Sequence, residues 1–243
     1  MANIGTVESL WRYPVKSMRG EELDEIYAGL SGVRGDRLFA FRSSAARADF
    51  PYFTAREQHE MLKYRPRFRQ PLNSGALEPS VDVETPTGER LAIDDPALTE
   101  RLRHRIDEKH HLSLMRSERA LTDCHPISLF SLQTVAKLSE ETGLSCDKRR
   151  FRANIYLDLA SSGGFAEDEF VGRSIRIGSE VVISLLERDP RCMMITLDPD
   201  TASAAPALLK KVAQEHGGTA GVYGTVLVEG FARKGDAVEL LDS

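Results

Sequence analysis

The sequence predicts a mainly β (α+β) protein: an N-terminal β-barrel-like domain over residues 1–110, then a second β-barrel domain over 111–243 with a few peripheral helices. Three observations predict this. The first third is a succession of short apolar runs broken by Gly, Pro and Asp. Helical spacing is confined to three segments. The 243 residues are 41% apolar and 28% charged, without a repeat or low-complexity tract, which is enough to bury a substantial core.

In order, a strand around 5–11 runs into Tyr13-Pro14-Val15-Lys16-Ser17, where the proline stops regular pairing. A turn at Val33-Arg34-Gly35-Asp36 precedes a buried strand over 37–41, and 43–49 reads as a polar loop. Residues 81–85 and 90–93 form a hairpin around Pro86-Thr87-Gly88-Glu89. Asp95 then caps a helix that has Pro96 at its first position and runs to about 104. A domain boundary falls within the charged stretch 105–122, around a short strand at 112–115. The spacing of Leu129, Leu132, Val135, Ala136 and Leu138 predicts a helix over 128–142, stopped by Gly143. Strands follow at 153–157, 174–177 and 181–185, the last two joined through Gly178-Ser179. A helix over 206–217 and strands at 223–229 and 237–241 complete the chain.

Net charge is −5 with a pI near 5.8, a balance that argues against a general nucleic-acid or anionic-membrane binder. No apolar run approaches the ~20 residues of a membrane span, and the N-terminus lacks a secretory pattern. The three cysteines, Cys124, Cys146 and Cys192, are widely spaced and odd in number, which fits reduced thiols in a cytoplasmic protein. No CxxC, GxGxxG, Walker loop, GxSxG or HExxH pattern occurs.

Cys192 lies in Arg188-Asp189-Pro190-Arg191-Cys192, where positive neighbours favour the thiolate, the form that binds soft metals. A lone cysteine is more often a small buried hydrophobe. Lys16-Ser17, at a strand end, offers an ammonium, a hydroxyl and backbone N–H groups to a phosphate. The basic run Lys148-Arg149-Arg150-Phe151-Arg152 precedes a strand in which Arg152 and Asn154 share parity and project to one side. His125, before Pro126, is a candidate pocket residue. Asp198 and Asp200 fit an Asx turn, the more so Asp200.

Taken together, Tyr-Pro-Val-Lys-Ser (13–17), Gly-Asp-Arg (35–37), Phe-Thr-Ala-Arg (53–56), Phe-Arg-Ala-Asn (151–154), Arg-Cys (191–192), Asp-Pro-Asp-Thr (198–201) and the closing 230–241 resemble the MOSC proteins that carry an N-terminal β-barrel domain. That group includes the mitochondrial amidoxime-reducing components and bacterial hydroxylaminopurine-resistance proteins. The resemblance spans nearly the whole chain, in the family's order. It departs at Ala153, where the family often has proline, and at Cys124-His125, where relatives carry small hydroxyl residues.

The resemblance implies a molybdenum cofactor, a pterin dithiolene with a protein cysteine as a further sulfur ligand, and it places that cysteine at Cys192. It assigns Lys16, Ser17, Arg37, Arg152 and Asn154 to the cofactor phosphate, with Thr54 and Arg56 near the same cleft between the domains. The activity implied is reduction of small N-hydroxylated compounds; loss of water in that reaction needs a proton donor, for which Asp198 and His125 are the candidates. Neither an iron–sulfur cluster nor a pyridoxal phosphate site is evident, so electrons would come from a separate ferredoxin- or flavin-type protein. The alternative is a sulfur or cofactor carrier that uses Cys192 without redox turnover.

Overall fold

A computed structural model describes residues 2–72, 79–104 and 106–241. The first half comprises β1 (Ala2–Arg12), β2 (Glu21–Leu23), β3 (Glu25–Gly29), β4 (Gly32–Val33), β5 (Phe39–Arg47), β6 (Phe50–Phe53), β7 (Arg65–Phe68), β8 (Val81–Glu84), β9 (Arg90–Ala92), helix α1 (Pro96–Arg103) and β10 (Leu112–Arg116). The second half comprises β11 (Ile127–Ser131), helix α2 (Leu132–Thr142), β12 (Ile155–Leu159), β13 (Ser174–Ile177), β14 (Val181–Pro190), helix α3 (Pro206–Glu215), β15 (Thr219–Val228), β16 (Gly230–Arg233) and β17 (Ala237–Leu240). The expected mainly β architecture is what is found. Among the described residues, no helix is long and apolar enough to cross a membrane.

Seven strands close a barrel in the order β12-β11-β15-β14-β13-β17-β1, with β1 paired back onto β12. Inward residues such as Val7, Leu10, Leu129, Ile155, Ile183 and Val222 fill it. The first strand of the chain therefore belongs to the barrel of the second half, pairing with both β12 and β17. Likewise β16 of the second half pairs with β3 of the first. The two halves are interleaved rather than strung in series.

The segment 128–142 is not one helix. Ile127–Ser131 is a fully buried strand, and only Leu132–Thr142 is helical. The strands β11 and β12 pair in parallel, so the chain needs a crossover between them, and α2 supplies it. The Ser131 side chain caps α2 by accepting from Thr134 N, and Gly143 ends it in the left-handed conformation, φ 67°. The expected loop at 43–49 is largely strand, because β5 continues to Arg47 and turns into β6. Asp95 caps α1 as expected, its Oδ1 accepting from Ala97 N at 2.8 Å. The hairpin at 81–93 also forms, between β8 and β9.

The first half has its own core, with Val15, Phe39, Phe41, Met61, Leu98 and Leu102 at its centre. Leu197 joins that core, while Ile195 packs into a third cluster with Phe130, Phe151 and Leu208. The short turn after Cys192 is thus gripped from both sides. This holds Cys192 at the seam between the halves.

Candidate functional site

Three loops meet at that seam. The chain leaves β1 through Tyr13 and Pro14, and Val15 makes a parallel bridge to Phe39 with Lys16 N donating to Phe39 O at 2.8 Å. Ser17 then takes φ 66°, Arg37 takes φ 46° and Arg152 takes φ 54°. Among the described residues only two other non-glycine positions have positive φ, Phe165 and Ala202, so this costly conformation is concentrated at the seam. Strain of this kind persists where surrounding contacts over-determine it. Here Arg37 N donates to Tyr13 O, and fully buried Asp36 accepts from Tyr13 N at 2.8 Å while its other oxygen pairs with the Arg37 guanidinium.

The cleft so formed holds about 710 Å³ of space, its open mouth included. Six cations line it (Lys16, Arg37, Arg56, Arg150, Arg152 and Arg191) against two carboxylates, Asp123 and Asp189. A chain of net charge −5 has therefore gathered a local positive excess. Cys192, Ser17 and Thr54 line it too.

Cys192 caps a single 3-10 turn, Met193–Thr196, and is only half-buried. Its Sγ lies 3.3 Å from Arg56 Nη2, which also donates to Asp123 Oδ2 at 2.8 Å. Asp123 in turn pairs with Lys16, whose Nζ also donates to Leu121 O at 2.8 Å. Burial pulls the Lys16 ammonium below its ordinary pKa despite Asp123. Burial raises the Asp123 carboxyl, but Lys16 and Arg56 outweigh it and hold the group below the usual carboxylate range. Thr54 donates to Glu57 Oε2 and accepts from Arg56 N, so it shapes the loop beneath Arg56.

Arg152 is the unmatched cation. Its guanidinium stands 4.3 Å from the Tyr13 ring centroid, with Arg37 4.6 Å from the same centroid. The buried Nη2 of Arg152 has no hydrogen-bond partner among the described residues. Burial first, and Arg37 second, lower its pKa to about 10. Arg152 and Asn154 do not share a strand, because β12 begins only at Ile155 and Arg152 closes the turn Lys148–Phe151. Asn154 is buried outside the cleft lining. Its Oδ1 accepts from Ser128 N and its Nδ2 donates to Trp11 O, which fastens β1 to the start of β11.

Asp198 and His125 also fall outside the lining. Asp198 Oδ1 accepts from the backbone N–H groups of Asp200 and Thr201, and its Oδ2 pairs with Arg150 at 3.1 Å. Burial raises this carboxyl, but the Thr201 and Asp200 hydrogen bonds outweigh it, leaving the group ionised more readily than a free carboxylate. It is the Asx residue of its turn, while Asp200 pairs with Arg19 and Arg149. His125 Nε2 lies 3.1 Å from Glu187 Oε1, with its ring against Tyr223. In their place the cleft offers Asp189, 2% exposed and 2.8 Å from Arg191 Nη2. Burial pushes Asp189 up to about 6 against the pull of Arg191 and a Tyr223 hydrogen bond. Arg191 is itself committed to the carbonyls of Ala220 and Phe151.

The donor set fits a phosphate-bearing group with a thiophilic metal. Orphan N–H groups on Arg152 Nη2 and Arg56 Nε want acceptor oxygens, and one thiol stands beside them. Among the described residues no three or more His, Cys, Asp or Glu side chains converge as ligands. A thiophilic metal there would find in Cys192 a single soft protein ligand.

The family model for the MOSC N-terminal beta barrel domain matches residues 4–125, and the model for the MOSC domain matches residues 107–239. No curated protein matches the chain. Among solved structures, the YUAD protein from Bacillus subtilis is similar at 12% identity, over 97% of this chain and 94% of that one, with a TM-score of 0.52. YiiM from Geobacillus stearothermophilus aligns at 21% identity over 49% of this chain and 55% of its own, TM-score 0.38. YiiM from Escherichia coli aligns at 13% over the same shares, TM-score 0.37. At these identities the likeness to the Bacillus protein concerns the fold alone.

Proposed function

The chain belongs to the MOSC family, whose domains are linked to molybdenum-cofactor binding, and on that premise we propose that it is a cofactor-dependent oxidoreductase acting on small N-hydroxylated compounds. The observation that carries the reading is one thiol, Cys192, in a cleft with six cations, one of which, Arg152, keeps a buried N–H without a partner among the described residues. Cys192 would hold the metal. Lys16, Ser17, Arg37 and Arg152 would hold the cofactor phosphate, and Arg56, anchored by Asp123, would orient the Cys192 sulfur through its hydrogen bond. When bound, the cofactor supplies two-electron redox chemistry that the side chains lack.

The net reaction is R–NHOH + 2 e⁻ + 2 H⁺ → R–NH2 + H2O, with the electrons drawn from a separate ferredoxin- or flavin-type protein. Loss of water requires a proton at the departing oxygen. The Asp189 carboxyl lines the cleft, where burial raises it to about 6, so it holds that proton more readily than Asp198, which its hydrogen bonds keep ionised, and it lies in the lining where His125 does not. Tyr223 and Arg191 keep the carboxyl in place.

The test is molybdenum and pterin content of the protein made in a cofactor-competent host, beside Cys192→Ala. Near-stoichiometric metal in the wild type and its loss in the variant are expected. Absence of both metal and pterin from the wild type, with cofactor available to the cell, would refute the reading. Cofactor that binds but exchanges freely, without reduction of any N-hydroxylated compound by reduced wild-type protein, would favour a carrier instead.

A further inference from the structure

The lysine assigned above to phosphate is held in the structure by the protein's own anion. The buried Lys16 ammonium carries three N–H groups. Its Nζ donates to Leu121 O at 2.8 Å and to Asp123 Oδ1, and the ring centroids of Tyr52 and Phe50 stand 4.7 and 5.4 Å from it. With two N–H groups on oxygen, at most one is left for a phosphate, and the charge is already matched. Asp123 places its other oxygen on Arg56 Nη2 at 2.8 Å, so a single carboxylate holds two of the six cations that line the cleft.

The two partners differ in their freedom to move. Lys16 is fixed by its backbone N–H on Phe39 O and by the bridge between Val15 and Phe39. The Asp123 side chain is 38% exposed and belongs to the irregular stretch 117–126 between β10 and β11. A phosphate that reached Lys16 with Asp123 in place would put two anions on one ammonium, and like charges at that separation repel. We propose that Asp123 competes with phosphate for Lys16, occupying the ammonium as an internal anion and yielding it, by turning toward solvent, to an entering phosphate group. The proposal rests on Lys16 being a phosphate residue, and it makes Asp123 specificity-determining. Acetate offers Lys16 the same carboxylate chemistry as Asp123 without the advantage of being tethered beside it, so acetate is refused. A phosphate dianion, with more charge and more acceptor oxygens, is admitted.

The full chain, free of cofactor, is titrated with inorganic phosphate and with acetate. Calorimetry gives the affinity, and carbon-detected NMR follows the Asp123 carboxyl and the Lys16 Cε. In the wild type, phosphate should bind saturably and move both signals together, while acetate moves neither. Asp123→Asn should bind phosphate about tenfold tighter, the factor expected if the yielding state is populated at about a tenth, and should also admit acetate. Asp189→Asn removes the same charge from the same lining, at a carboxylate paired with Arg191 instead, and should change phosphate affinity by less than about threefold. A Lys16 signal that moves with phosphate while the Asp123 carboxyl stays put would overturn the exchange and leave Lys16 a phosphate residue. Phosphate affinity in Asp123→Asn no higher than in the wild type, an equal gain in Asp189→Asn, or acetate binding to the wild type as tightly as phosphate would overturn it too. A Lys16 signal unmoved by phosphate would instead remove Lys16 from the phosphate site, and the exchange with it. The wild-type spectra decide the question even if Asp123→Asn fails to fold.

Discussion

Replacing Arg152 with methionine should make the cofactor-free protein more stable while removing its hold on an anion. The wild-type guanidinium is charged in both folded and unfolded chains at pH 7, below either pKa, so the full cost of burying it is present there. A fall to about 10 from the ordinary value above 12 corresponds to roughly 3 kcal/mol of destabilisation. Part of this is offset by the stack on Tyr13, which contributes about 0.5–2 kcal/mol and which methionine replaces only partly. The backbone term cancels, since φ 54° is as uncomfortable for methionine as for arginine. A net gain of about 1–2 kcal/mol remains, or roughly 2–6 °C in Tm for a chain of this size. Urea titration and calorimetry of cofactor-free wild type and Arg152→Met measure it directly. A variant less stable by 1 kcal/mol or more would show that the guanidinium has a stabilising partner within the protein, and the argument for an anion in the cleft would lose its main support.

Other outcomes follow from the same contacts. Asp189 has a folded-state pKa of about 6 against roughly 4 unfolded, so the native state takes up the proton first and its contribution to stability falls as pH rises from about 4 to 6; Asp189→Asn should remove that slope and delete one carboxyl titrating near 6 in carbon-detected NMR. Asp123→Asn leaves the ammonium of Lys16, 5% exposed, without its counter-charge, held by the Leu121 carbonyl and the Tyr52 and Phe50 rings, and should cost about 2 kcal/mol by urea midpoint; an unchanged midpoint would mean that Lys16 finds another anion. Asp95→Ala deletes the cap of α1 and should cost about 1 kcal/mol with no effect on molybdenum content, since the helix lies away from the cleft.

The turn and cap chemistry was legible in the sequence because it is local. Asp95-Pro96, Gly143 and Gly178-Ser179 each announce their geometry within a few residues, and each adopts it. The error at 128–142 arose because five consecutive buried residues, Ile127–Ser131, carry no period of two, and their run into α2 imitates a longer helix. Arg152 was visible as part of a basic run, but its isolation was not: that depends on which acids Arg149 and Arg150 consume, and these come from Asp147, Asp198 and Asp200. Asp123 and Asp189 were passed over for the same reason. Nothing in Thr122-Asp123-Cys124 tells that one aspartate will sit between a lysine 107 residues away and an arginine 67 residues away.

The position of β1 bears on how the molecule is made. Ala2 pairs with Leu240, so β1 meets this neighbour only after the whole stretch between them has been made. At about 5–20 residues per second that interval is roughly 10–45 s. Until then the nascent chain carries a strand whose apolar face, Val7 and Leu10, has no barrel to enter. The Tyr13–Ser17 loop hangs from that strand, so the cation-lined cleft cannot assemble on a half-made chain. A fragment cut at the boundary between the two halves would lack a stave of the barrel as well as the lysine of the cleft. Expression of the second half alone should therefore give aggregate rather than a small active domain, unless residues 2–12 are supplied in trans or spliced after Leu240.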